Sequence, residues 1–132
     1  MLATGLAAGL FAAAPGRAAG DPPVNCKNPE TTYEMNVCAG RDFTAADTAM
    51  NVLYKQLYAQ YDAANRKLLQ AAQRSWIKFR DDECGYETNL TVGGTIHSTM
   101  VTNCDTELTR ERIKRLKAQA ACEEGDMGCN HP

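Results

Sequence analysis

The sequence predicts an all-α domain stabilised by disulfides: a short N-terminal helix, a long antiparallel helical hairpin and a C-terminal helix. Three observations carry this. No Gly or Pro occurs between Thr44 and Cys84, and Met50, Leu53, Tyr54, Leu57 and Tyr61 recur there at helical spacing as one apolar stripe. The stripe nearly continues through Leu68, Ala72, Trp76 and Phe79. Six cysteines lie within 132 residues, an even number suited to disulfides in a short exported chain.

The chain opens on residues 1–20, of which 13 are apolar and one, Arg17, is charged. An Ala-rich run over Leu2–Ala14, followed by small residues through Gly20, reads as a secretory signal peptide cleaved after Ala18 or Gly20. The competing reading, a buried apolar helix, lacks a polar stripe to orient it. The first cysteine, Cys26, follows Asn25 and lies well past the apolar run, so there is no lipobox. The expected product is exported and soluble, either periplasmic or secreted. Domain boundaries follow: a signal peptide over 1–20, a helical domain over 21–120 and a cysteine-containing tail over 121–132.

Residues 21–30 hold three prolines and two asparagines and form an irregular lead-in. Thr31 followed three residues later by Glu34 has the pattern of a capping box, so a short helix is expected through about Ala39, ended by Gly40. Thr44 then caps the first arm of the hairpin. A single helix from Thr44 to Cys84 would run roughly 60 Å, too long for a small domain to cover. A break is therefore expected at Asp62-Ala63-Ala64-Asn65, with Asn65 as the next cap. The second arm runs from about Arg66 to Tyr86, and two antiparallel arms can bury their stripes against each other. Gly93 and Gly94 mark a turn in the loop that follows. The last helix spans about Thr102–Ala120, with Leu108, Ile113 and Leu116 facing inward.

Charge and composition exclude several classes. Residues 21–132 carry 13 Lys and Arg against 16 Asp and Glu, so the domain is mildly acidic and no dedicated nucleic-acid binder is expected. Beyond residue 20 no apolar run approaches the roughly 20 residues of a membrane span. The basic run Arg110–Lys117 reads as a solvated helix face near a C-terminus, where cations offset the helix dipole. No nucleophile, base or metal cluster is recognisable, so no enzyme and no cofactor are expected. A thiol pair of Cys38 or Cys84 with His97 would lose its thiolate to disulfide formation. A metal site from Cys122, Cys129 and His131 matches no common zinc spacing.

Six cysteines admit fifteen pairings. Neighbours in sequence make the simplest set: Cys26–Cys38, Cys84–Cys104 and Cys122–Cys129, each contributing roughly 2–4 kcal/mol by loop entropy. A Cys84–Cys104 bridge would clamp the Gly93-Gly94 loop at its base, giving it the defined ends a binding loop needs. Gly93, Gly94, Thr95 and His97 are accordingly the candidate partner-binding residues. Gln73, Trp76, Phe79 and Arg80 form a second set, read as structural. Trp76 belongs to the core, Arg80 can stack on its ring or pair with an acid, and Gln73 can bond backbone or a neighbouring helix. Asp47 and Asn51, one turn apart, can cap or bridge helices.

An ordered set of these residues resembles the LprI-type lysozyme inhibitor family. It comprises Glu34-Met35-Asn36-Val37-Cys38, Asp47 with Asn51-Val52-Leu53-Tyr54, Gln73-Arg74-Ser75-Trp76, Phe79-Arg80-Asp81, Cys84, Gly93-Gly94-Thr95, Cys104 and Leu108-Thr109-Arg110-Glu111-Arg112. The resemblance covers roughly residues 26–117. It implies an exported, helical, disulfide-bonded domain that inhibits lysozyme by direct binding, without chemistry of its own. The alternative is a cell-envelope structural or interaction module without lysozyme inhibition. The chain departs from the family pattern in lacking a lipobox and in its additional pair Cys122 and Cys129.

Overall fold

The computed structural model describes residues 22–123 and 125–130. The expected signal peptide over 1–20 lies outside the described residues. Three helices follow in order: α1 (Thr32–Gln60), α2 (Ala63–Glu87) and α3 (His97–Ala120), with a single 3-10 turn over Asn89–Thr91. The all-α class holds, and no strand occurs among the described residues.

α1 starts where the capping box places it. Thr31 accepts from the Glu34 backbone N–H, and the Glu34 carboxylate reaches back to the backbone N–H groups of Thr31, Glu30 and Asn25. Those three donors hold the Glu34 carboxyl below its usual pKa. The expected stop at Gly40 does not occur. The short helix and the first hairpin arm are one helix of 29 residues. Gly40 keeps helical backbone, and the Thr44 hydroxyl, expected to cap, instead donates back to the Gly40 carbonyl at 2.8 Å. A glycine costs a helix about 1 kcal/mol relative to Ala, an amount that the buried seam on either side of it outweighs.

That seam has heptad spacing: Asn36, Ala39, Phe43, Ala46, Met50, Leu53 and Leu57. Ala39, Ala46, Met50 and Leu57 are buried. α2 returns antiparallel after a two-residue link, so Gln73 meets Met50 and Arg80 meets Phe43 and Asp47. Its cap is Asp62, which accepts from the Asn65 backbone N–H at 2.8 Å. Asn65, the expected cap, is therefore the N3 residue, and the helix begins three residues earlier than expected.

α3 then runs parallel to α1. Ser98 and Thr99 both donate to the Asn36 side-chain carbonyl near one end, and Leu116 joins Met50, Leu57 and Tyr61 in the core near the other. The expected two-arm packing is thus corrected: α1 lies closest to α3, and α2 packs along the pair from outside. Small side chains allow this approach, Ala39 and Ala46 on α1 facing a seam of Thr99, Thr106 and Thr109 on α3. α3 begins at His97, five residues before the expected Thr102: Thr99 in the added turn is buried and donates to Asn36, and Ser98 donates to the same side chain from the surface.

Arg66 closes the α1–α2 link. α1 has no cation in its own last turn, and Arg66 donates to the Tyr58 and Ala59 carbonyls at 2.8 and 3.3 Å while lying over the Tyr58 ring. Arg66→Ala is expected to cost about 1 kcal/mol, since it removes both carbonyl bonds and the cation at a helix C-terminus. Urea unfolding checks the value.

Candidate functional site

Two places in the bundle hold the residues of interest. The first is internal. Arg80 projects from α2 into the space between all three helices, and its side chain is only 12% exposed. Its guanidinium lies over the Phe43 ring of α1 at 5.3 Å and the Trp76 ring of its own helix at 5.4 Å. It pairs with Asp81 at 2.9 Å, with Asp105 of α3 at 3.7 Å and with Asp47 of α1 at 3.9 Å. Asn51 donates to Asp47 at 2.9 Å and orients that carboxylate. About two turns away on α2, buried Gln73 donates to the Met50 sulfur and accepts from Arg112 of α3, whose guanidinium also flanks Trp76.

The structure therefore brings Gln73, Trp76 and Arg80 together on the inner face of α2. Phe79 is separate: it is about half exposed and borders a shallow groove with Leu108 and Glu111. Trp76 is half-buried, packed against the core cluster. One member of the network, Asp105, was not singled out by sequence reasoning, and Arg112 entered it only within the family motif and the basic run, with no partner assigned. Burial raises the Asp105 carboxyl above its usual pKa; Arg80 opposes this and Asp81 adds to it. One Asp105 oxygen is buried without a hydrogen-bond partner.

The second place is the end of the bundle where α2 passes to α3. The Cys84–Cys104 bridge joins the two helices there, and Cys84 is fully buried. Between them the chain is held by its own hydroxyls. Thr88 and Thr91 donate to the carbonyls of Cys84 and Thr88, and Thr91 Oγ1 lies 2.8 Å from His97 Nδ1. Gly93 has φ of 84°, a left-handed conformation that glycine adopts without steric cost. A side chain at Gly94 would crowd the Thr91 carbonyl at 3.2 Å. Gly93, Gly94 and Thr95 are exposed, whereas His97 is half-buried as the first residue of α3.

The side chains this loop presents are apolar ones that the sequence reading passed over. Leu90 is 98% exposed and Val92 65%, and Tyr86, in the last turn of α2 beside the loop, is 78% exposed. Their signal was available, as Leu90 and Val92 among the threonines, asparagine and glycines of residues 88–95. The same end of the bundle is acidic. Residues 22–47 and 78–106 carry nine Asp and Glu against four Lys and Arg. The described residues of 48–77 and 107–130 carry five against nine.

All six cysteines pair with their sequence neighbours, Cys26–Cys38, Cys84–Cys104 and Cys122–Cys129. No thiolate remains for a Cys–His pair or for metal binding by Cys122 and Cys129, and His131 lies outside the described residues. Among the described residues there is no cluster of three or more metal-ligating side chains, and no helix is long and apolar enough to cross a membrane.

Fold and site define a class: a small three-helix domain held by disulfides, with a charge network inside and an exposed apolar loop at one pole. The chain belongs to the LprI family. The family model, described as "Lysozyme inhibitor LprI", matches residues 25–116. An uncharacterized protein of Rhizobium meliloti (strain 1021) is 32% identical over 112 residues, covering 73% of this chain and 78% of that protein. No solved structure matches.

Proposed function

We propose that this protein is an exported lysozyme inhibitor that binds lysozyme through its acidic pole and occludes the substrate cleft. The observation that carries the reading is the loop over 88–96, clamped by Cys84–Cys104, which presents Leu90 and Val92 to solvent beside the exposed Tyr86 in the last turn of α2. Membership in a family whose model is described as a lysozyme inhibitor supports lysozyme as the partner. Exposed aliphatic and aromatic side chains on a preorganised loop are what a partner buries at the centre of an interface. The surrounding acids, among them Glu83 and Glu87, favour encounter with a cationic enzyme such as lysozyme. Gly93 and Gly94 set the loop's shape, and Thr95 and His97 form its far side. Inhibition proceeds by occlusion, with no bond made or broken on the inhibitor. Three disulfides suit the periplasm or the extracellular medium, where cysteines are not kept reduced.

The test is lysis of a cell-wall suspension by lysozyme with the oxidised protein, residues 21–132, added to saturation. Slowed lysis is expected, and no slowing overturns the reading in favour of an envelope module without inhibition. Leu90→Asp should weaken inhibition at least tenfold while leaving the helical circular dichroism unchanged, because Leu90 makes no core contact. An inhibitor unaffected by Leu90→Asp and Val92→Asp together would place the interface elsewhere.

A further inference from the structure

At the pole opposite the loop lies a half-open groove of about 650 Å³, within the size range of small-molecule sites. Its floor is apolar: Leu57 and Tyr61 from the end of α1, Leu69 from the start of α2 and Leu116 from α3. Leu68 stands on the rim, 61% exposed. The tail forms one wall, held there by Gln119, which donates to the Gly128 carbonyl and accepts from the Asn130 backbone N–H.

The groove's polar side carries two guanidinium groups. Arg112 and Arg115, one turn apart on α3, both line it. Among the described residues no carboxylate lies within ion-pair distance of either. Arg112 has only the neutral Gln73 carbonyl and the Trp76 ring. Burial, and then the like charge of Arg115, push the Arg112 guanidinium down from its usual pKa. The surrounding half of the bundle carries the excess of Lys and Arg noted above. An apolar trough beside two unpaired guanidinium groups matches a ligand with a hydrocarbon chain and an anionic head.

We propose that this groove binds a single-chain anionic amphiphile, its acyl chain along Leu68, Leu69 and Ala72 above the buried Leu57 and Leu116, and its head group on Arg112 and Arg115. The site is independent of lysozyme binding and lies at the other end of the molecule. A carboxylate head bridges the two guanidinium groups and relieves their mutual repulsion, while the chain covers Leu68 and Leu69.

Laurate below its micelle concentration is the probe, titrated into the oxidised protein by calorimetry. Saturable binding to one site is expected. Dodecanol, with the same chain and no charge, should bind at least tenfold more weakly, and acetate, with the charge and no chain, should not bind. Arg115→Gln should weaken laurate binding at least tenfold, and Leu68→Asp should abolish it. Both positions are exposed, so folding is retained, and lysozyme inhibition should be unchanged in both variants. Absence of saturable laurate binding overturns the proposal, as does equal affinity for dodecanol or an Arg115→Gln variant that binds like the parent. Association with anionic vesicles without binding of monomeric laurate likewise overturns it, in favour of a membrane-surface contact by the basic helix face.

Discussion

Arg80→Met is expected to lower the unfolding free energy by about 3 kcal/mol, seen as a lower urea midpoint with an unchanged slope. The side chain keeps much of its volume, so the loss is chiefly electrostatic. Arg80 is the sole cation facing Asp47, Asp81 and Asp105 within ion-pair distance among the described residues. Removing it leaves Asp105 half-buried beside two other acids, the situation in which a broken charge cluster costs most. The Phe43 and Trp76 rings lose their cation at the same time.

The pH dependence gives the prediction a sign. Burial first, and Asp81 second, hold the folded Asp105 carboxyl above its ordinary pKa of 3.8, with Arg80 opposing them. The folded state thus binds this proton more tightly than the unfolded chain. The stabilisation from protonating Asp105 is complete below the ordinary value and is lost as pH rises through the raised one. Asp105→Asn should therefore melt higher than the parent at neutral pH, with the gap closing toward pH 3.8. Arg80→Met removes the opposing charge, so acidification should recover part of its loss. An Arg80→Met variant that melts with the parent would refute the role given to the network, and an Asp105→Asn variant that melts lower at neutral pH would refute the sign.

Loss of the Cys84–Cys104 bridge is the second large effect. The cysteines are separated by 20 positions, and the chain-entropy relation gives roughly 3 kcal/mol for a loop of that length. Cys84→Ala with Cys104→Ala should show that loss in thermal unfolding. It should also reduce lysozyme inhibition by more than the stability change alone accounts for, because the ends of the 88–96 loop are no longer fixed. The tail pair supplies the contrast. Cys122→Ser with Cys129→Ser should shift global unfolding by less than about 1 kcal/mol, since that short loop hangs on α3 through Gln119. If the two double variants behaved alike in both assays, the loop would not depend on its clamp.

The parts legible in the sequence are those governed by local spacing. The Thr31/Glu34 capping box, the stripe through Met50, Leu53 and Leu57 and the break after Tyr61 each follow from residues within a turn or two of one another. Gly40 misled because its helix propensity is poor in isolation, and the cost is outweighed by burial of Ala39 and Ala46 against a helix some sixty positions away. The start of α3 was illegible for a related reason. Thr99, Thr106 and Thr109 look like loop or surface residues, yet they face inward. Thr99 bonds Asn36 and Thr106 bonds the Thr102 carbonyl, contacts that let small polar side chains sit inside the bundle.

At the sites the division is similar. The sequence placed Gln73, Trp76 and Arg80 on one helical face, because that needs only the 3.6-residue period. Asp47 and Asp105 could not be assigned to Arg80 from the sequence, since they come from helices 33 and 25 residues distant in the chain. Nor was it legible that Leu90 would stand free, or that Arg112 and Arg115 would share a groove with Leu57.

By itself, then, the sequence determined that the chain is helical, where its first helix starts and where the link between α1 and α2 falls. Those properties depend on backbone periodicity, capping and short loops. Tertiary structure decided that α1 and α3 run side by side, that one arginine gathers acids from all three helices, and that charge separates into an acidic and a basic pole. Each of these depends on how closely two helices approach, which is set by the smallest side chains between them and not by any local pattern.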